Sequence, residues 1–200
     1  MSSEFVPYET AESMIARRHF APAIALLSGA VASDPSDARA WSLLGQCYTE
    51  AGHQTSAIAA LMRAVILDDE SGATCEALGV AWLRRGDIDT ARSWFHRGLR
   101  ALERSSDRDA RAQRGSIMRN IAMALVMERR QREARFLLEE AIEESPDDLL
   151  TLHALSAQYI NDGRYVDAAP LVDRILEQPE LPDWIRESAE QGREIIRTRS

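Results

Sequence analysis

Trp41–Gly52 reads "WSLLGQCYTEAG", and Cys75–Gly86, 34 residues on, reads "CEALGVAWLRRG". Leu44 falls on Leu78, Gly45 on Gly79, Tyr48 on Trp82 and Gly52 on Gly86. An echo at a fixed distance of this size is the mark of a chain assembled from stacked units, none of which can bury its apolar face alone. Carrying the 34-residue frame in both directions gives five units: 4–37, 38–71, 72–105, 115–148 and 149–182.

The columns of that frame predict how each unit packs. The eighth position holds Ala11, Gly45, Gly79, Ala122 and Ser156, all small. The twentieth is alanine every time: Ala23, Ala57, Ala91, Ala134 and Ala168. The twenty-fourth is large and apolar: Leu27, Leu61, Phe95, Leu138 and Val172. Two helices of roughly a dozen residues, joined by a tight turn, satisfy this pattern. Small residues on facing sides let the axes approach to the short end of the ~8–10 Å range, and large residues fill the space around the contact. Gly52, Gly86 and Gly163 mark the turns, where a left-handed backbone costs glycine little. Pro35 and Pro146 stop the second helix. Asp37 and Asp148 then stand where a carboxylate caps the next helix.

Two segments complete the organisation. Residues 106–114, "DRDARAQRG", break the period. They are rich in helix formers and are expected to lengthen the first helix of the fourth unit, with a solvated loop as the alternative. Beyond Pro182, the residues Trp184, Ile185, Ala189, Ile195 and Ile196 are expected to share one apolar stripe. A helix over 183–199 with a polar back would cap the open face of the last unit.

The residues quoted above, with Trp41, Ala64 and Gly98, resemble the signature of the tetratricopeptide repeat family. The resemblance covers 4–182. It implies an all-α, right-handed superhelical solenoid of five antiparallel helix pairs plus the capping helix, as a single domain over 1–200. Departures are Pro7 at the fourth position of the first unit, Asp69 and Glu103 where proline is common, and Arg18 and Arg129 in place of the turn glycine.

Composition bounds the function. The net charge of -8 argues against a nucleic-acid partner. No apolar run reaches the ~20 residues that span a bilayer. The N-terminus has neither a basic region nor an apolar core of a secretory signal. A cytoplasmic protein without membrane insertion is expected. All 24 basic residues are Arg, read as base-composition bias, with selected avoidance of lysine modification as the other reading. Cys47 and Cys75 sit in apolar helical patterns and are expected to be buried free thiols. The histidines His19, His53, His96 and His153 form no metal motif, and no phosphate-binding loop occurs. The run "LLEEAIEESPDD" is read as a solvated helix face, with a metal site as the alternative. No enzymatic activity, cofactor or metal is expected.

The resemblance implies where a partner would bind. In this family the concave surface is lined by the first helix of each repeat, chiefly at its second, fifth, ninth and twelfth positions. Carried onto this chain, the groove of the first three units includes Phe5, Tyr8, Glu12, Arg39, Gln46, Thr49, Glu76, Val80 and Leu83. That of the last two includes Arg119, Met123, Val126, Met127, His153, Ala157 and Ile160. Ser42 is a further polar groove position. The lysine-dependent carboxylate clamp of adaptors that grip chaperone tails is absent. The groove turns apolar from Val80 onward, and such a patch marks an interaction surface. The expected function is an adaptor or scaffold that binds a partly apolar peptide or helix of another protein. Arg39 and Arg119 would hold carboxylates or carbonyls. The alternatives are a bacterial secretion chaperone for a hydrophobic client and a structural assembly subunit. The long helix, the capping helix or a second copy in a homodimer would also cover the patch.

Overall fold

The computed structural model describes residues 8–67 and 71–199. Phe5, Pro7 and Asp69 lie outside them. Every described element is a helix, and the chain divides into two compact units, Met1–Arg104 and Ser105–Ser200. The first unit contains α1 (Tyr8–Ala16), α2 (Phe20–Ser33), α3 (Ala38–Glu50), α4 (Gln54–Leu67), α5 (Gly72–Arg85) and α6 (Ile88–Leu102). The second contains α7 (Arg108–Met127), α8 (Gln131–Glu144), α9 (Leu149–Asn161), α10 (Tyr165–Leu176) and α11 (Asp183–Arg199). Consecutive helices pair antiparallel, giving five pairs and a closing helix.

The repeat columns are the core. All five alanines of the twentieth position are 0% exposed. Leu27, Leu61, Phe95, Leu138 and Val172 are buried as well. In the first unit, Leu27, Val31, Leu43 and Leu44 form one cluster, and Ile58, Leu61, Leu78 and Ala81 form another. In the second, Leu152, Val172, Ile175 and Ile185 pack together. Burying a side chain of this size contributes about 1.5–3 kcal/mol. Cys47 and Cys75 are buried free thiols, and burial pushes the Cys47 thiol up to about 11.

The turns repeat as closely as the helices. Gly52, Gly86 and Gly163 have positive φ, and so do Arg18 and Arg129, each at 60°. At all five, two successive N–H groups bond back into the helix just ended. Gly86 N–H donates to the Leu83 carbonyl and Asp87 N–H to that of Trp82, both at 3.0 Å. Arg129 and Arg130 donate in the same way to Val126 and Leu125. These pairs satisfy carbonyls that a helix end leaves open.

Helix starts are capped as the carboxylate positions imply. Asp37 accepts from the Ala40 N–H at 2.9 Å, and Asp148 from the Thr151 N–H at 2.8 Å. Asp107 accepts from the Ala110 N–H at 2.8 Å, which sets the start of α7. α7 is therefore a helix of 20 residues, beginning seven residues before the fourth repeat frame. The residues that break the period lengthen it. Arg114 ties the extension down, donating to the Ser105 carbonyl at 2.6 Å and pairing with Glu144 at 2.8 Å.

Two expectations are corrected. On α11, Ile185, Ala189 and Gly192 are buried and Ile196 is half-buried, but Trp184 is 57% exposed and Ile195 42%. Steps of four, three and four keep residues on one helical line. Trp184 and Ile195 each stand one residue off it, rotated by about 100°. The acidic run at the end of α8 is also more than a solvated face. Glu144 pairs with Arg114 and Arg111, Asp147 with Arg174 and Asp148 with Arg119. The Arg114 guanidinium holds the Glu144 carboxyl below its ordinary range.

Candidate functional site

In the first unit, α1, α3 and α5, each the first helix of a repeat, share a cleft. Ile15 of α1, Gln46, Thr49 and Glu50 of α3, and Glu76 and Val80 of α5 surround a cleft of about 220 Å³. Ala73 and Ala77 of α5 also line it. The small side chains on α5 leave the space, and the aliphatic ones line it. A second cleft of about 660 Å³ adjoins the first, since Gln46 and Ala73 line both. It extends past Glu12, Arg39, Ser42 and Leu67.

Hydrogen bonds fix the polar groups around these clefts. The Tyr8 hydroxyl donates to Asp37, the residue that caps α3. Burial, with the bond to and charge of Asp37, pushes the Tyr8 phenol up to about 12. Arg39 lies over the Tyr8 ring at 4.5 Å and donates to Glu12 at 2.9 Å. Arg84, next to the smaller cleft's Glu50, donates to it at 2.8 Å and to the Thr49 carbonyl at 2.6 Å. Thr49 is 3% exposed, and its hydroxyl donates to the Gly45 carbonyl at 2.9 Å. Ser42, also buried, shares a 2.7 Å hydrogen bond with Thr74. Leu83 is half-buried and stands outside the lining of both clefts.

In the second unit the arrangement differs. Arg119 is inward-turned: it pairs with Asp148 at 2.6 Å and donates to Ser116 at 2.9 Å. Met123 and Met127, four residues apart on one face of α7, are 52% and 56% exposed. Val126, Ala157 and Ile160 are half-buried. His153 Nε2 lies 2.9 Å from the Ser188 Oγ of α11, and its ring meets Trp184 edge-on at 5.4 Å. Burial pushes the His153 imidazole below its ordinary value. Farther along α9, Ile160 lies so close to α11 that a Cβ on Gly192 would stand 2.9 Å from it. The closing helix therefore occupies the His153 and Ile160 part of α9.

Sequence reading put Trp184 on the packed stripe of α11 and missed its contact with His153, although a signal was present. Extending the repeat frame past Pro182 makes Trp184 the second position of a sixth unit, one of the family's groove positions.

Residues 8–72 match the family model described as tetratricopeptide repeat. Residues 8–72 are tetratricopeptide repeat sequence, and the chain has the fold of a tetratricopeptide repeat solenoid. Its fold is similar to that of TTC0263, a thermophilic TPR protein in Thermus thermophilus. The TM-score is 0.76 at 18% identity, over 93% of this chain and 96% of that one. A chain of the APC/C hetero-tetramer Cut9–Hcn1 gives a TM-score of 0.76 at 17% identity, with 91% of this chain covering 35% of that chain. YrrB, described as a TPR protein with an unusual peptide-binding site, gives 0.54 at 21% identity, over 93% of this chain and 91% of that one. At these identities the likeness is one of fold. No curated protein matches the sequence. Tetratricopeptide repeat proteins mediate protein–protein interactions and are generally non-enzymatic. Among the described residues, no helix is long and apolar enough to cross a membrane.

Proposed function

We propose that this chain is an adaptor that holds a segment of a partner protein in the groove formed by α1, α3 and α5. The observation that carries this reading is the cleft bounded by Ile15, Gln46, Glu76 and Val80. It lies where the family pattern puts the concave surface, and it combines an aliphatic lining with polar groups that orient a ligand. The peptide-binding site named for YrrB is consistent with such a use of the fold. In the second unit, the exposed Met123 and Met127 form a separate apolar surface suited to varied apolar ligands.

The test compares wild type with Val80→Asp and, separately, Met123→Asp. Each is used as bait in extract of the native cell, with bound proteins identified by mass spectrometry. Val80→Asp, with an unchanged melting temperature, is expected to lose a partner that wild type retains. Equal capture by wild type and Val80→Asp would refute the groove reading. Light scattering separates a second use of the methionine face: a dimer that Met123→Asp dissociates would make that face a contact between copies.

A further inference from the structure

We infer that Met123 and Met127 form an oxidation site, through which a hydroperoxide turns the apolar surface of α7 polar without unfolding the chain. The site belongs to the second unit and does not depend on the α1–α3–α5 groove.

Sulfur is unevenly placed in this fold. Both cysteines are 0% exposed. Burial also pushes the Cys47 thiol up to about 11, which keeps the nucleophilic thiolate scarce near neutral pH. Among the described methionines, Met14, Met62 and Met118 are half-buried, and Met14 and Met62 pack against apolar clusters of the first unit. Met123 and Met127 are the two exposed ones. They stand four residues apart, so one face of α7 carries both thioethers. The same turns are anchored by other residues, the buried Ile121, Ala124 and Leu125. An oxidant in solution therefore meets these two sulfurs first, and the side chains it changes are not the ones that hold the helix.

The chemistry is an oxygen transfer. A thioether lone pair attacks one oxygen of hydrogen peroxide, forming the S–O bond as the O–O bond breaks. Sulfur loses two electrons and the peroxide gains them. The departing hydroxide takes the proton of the transferred hydroxyl, leaving methionine sulfoxide and water. A flexible apolar side chain has become a polar, chiral one. Water satisfies the new oxygen at an exposed position, whereas an apolar partner seated on this face would leave it unpaired. Oxidation at these positions removes an apolar contact and spares the core. Reductases specific for the two sulfoxide epimers restore the thioether.

The full-length protein is treated with hydrogen peroxide, sampled over time, digested and mapped by mass spectrometry. Met123 and Met127 are expected to gain one oxygen each several times faster than Met14, Met62 and Met118, with Cys47 and Cys75 still reduced. The oxidised protein should leave a phenyl-substituted column earlier than wild type and melt at the same temperature. Treatment with both classes of sulfoxide reductase should restore its retention. A Met123→Leu, Met127→Leu double variant keeps an apolar side chain of similar volume at each position and has no thioether there, so peroxide should leave its retention unchanged. Half-buried methionines or cysteines that oxidise as fast would overturn the inference. So would a fallen melting temperature, or a loss of retention that the double variant shares.

Discussion

Gly79 lies against the ring of Phe95 so closely that a Cβ on Gly79 would stand 2.3 Å from Phe95 Cε1. Gly45 stands in the same relation to Leu61, at 2.4 Å from its Cγ. The small eighth position and the large twenty-fourth are thus two halves of one contact. Gly79→Ala is expected to lower stability by about 1–3 kcal/mol through overpacking, although alanine is the better helix former by ~1 kcal/mol. Adding Phe95→Leu should recover part of that loss. Gly29→Ala is the control: nothing lies within 4 Å of a Cβ there, so helix propensity alone should raise stability by roughly 0.5–1 kcal/mol. Denaturant melts of the four proteins decide the matter. A Gly79→Ala protein as stable as wild type would contradict the contact.

Arg129 occupies the turn position that glycine holds at Gly163, at φ 60° against 72°. A left-handed conformation costs a residue with a Cβ roughly 1–2 kcal/mol, while glycine loses more entropy on folding. Arg129→Gly is therefore expected to stabilise the protein by about 0.5–1 kcal/mol. Gly163→Ala should destabilise it by a similar amount. Thermal melts that move both variants in the same direction would argue against turn strain as the cause.

Much of the fold was legible because packing leaves its record in residue size at fixed spacing. The alanine column, the turn arginines, and the caps at Asp37 and Asp148 could be read from the chain alone. The candidate site was less legible, because side-chain direction is not a property of position alone. Thr49 and Ser42 looked like polar groove residues, yet their hydroxyls are bonded inward, to the Gly45 carbonyl and to the Thr74 hydroxyl. Arg39 and Arg119 looked ready for a partner, yet Glu12 and Asp148 already hold them. Their companions lie 27 and 29 residues away, nearly one repeat, so no local pattern announces the pairing.

Asp148 has two duties in the second unit. It accepts from the Thr151 N–H at 2.8 Å to start α9 and pairs with Arg119 at 2.6 Å. Asp148→Ala removes the cap and leaves a largely buried guanidinium without its carboxylate, for an expected loss of about 2–3 kcal/mol. Asp148→Asn keeps an equally good cap and loses only the charge, so it should cost about 1 kcal/mol. Denaturant melts separate the two duties. Equal losses in both variants would mean that the cap contributes nothing measurable.

The docking of α11 is expected to respond to pH through His153. Its ring sits between Ser188 and Trp184, and burial lowers its pKa from the ordinary 6.5. A histidine with a depressed folded pKa binds fewer protons than it does in the unfolded chain. Its contribution to stability is therefore complete above 6.5 and declines as pH falls from there toward the folded pKa. His96 shifts the same way, through burial and the charges of Arg92 and Arg100, so it adds a decline of the same sign. Wild type is expected to melt at a lower temperature at pH 5.5 than at pH 7.5, a window (about two units) that stays above most carboxylate titrations. His153→Gln, which can still bond to Ser188, should show a smaller drop across the same window. His96→Gln should remove a separate share, and the double variant should come closest to a flat profile. If His153→Gln falls as steeply as wild type, the imidazole beside Trp184 is not what links the closing helix to pH.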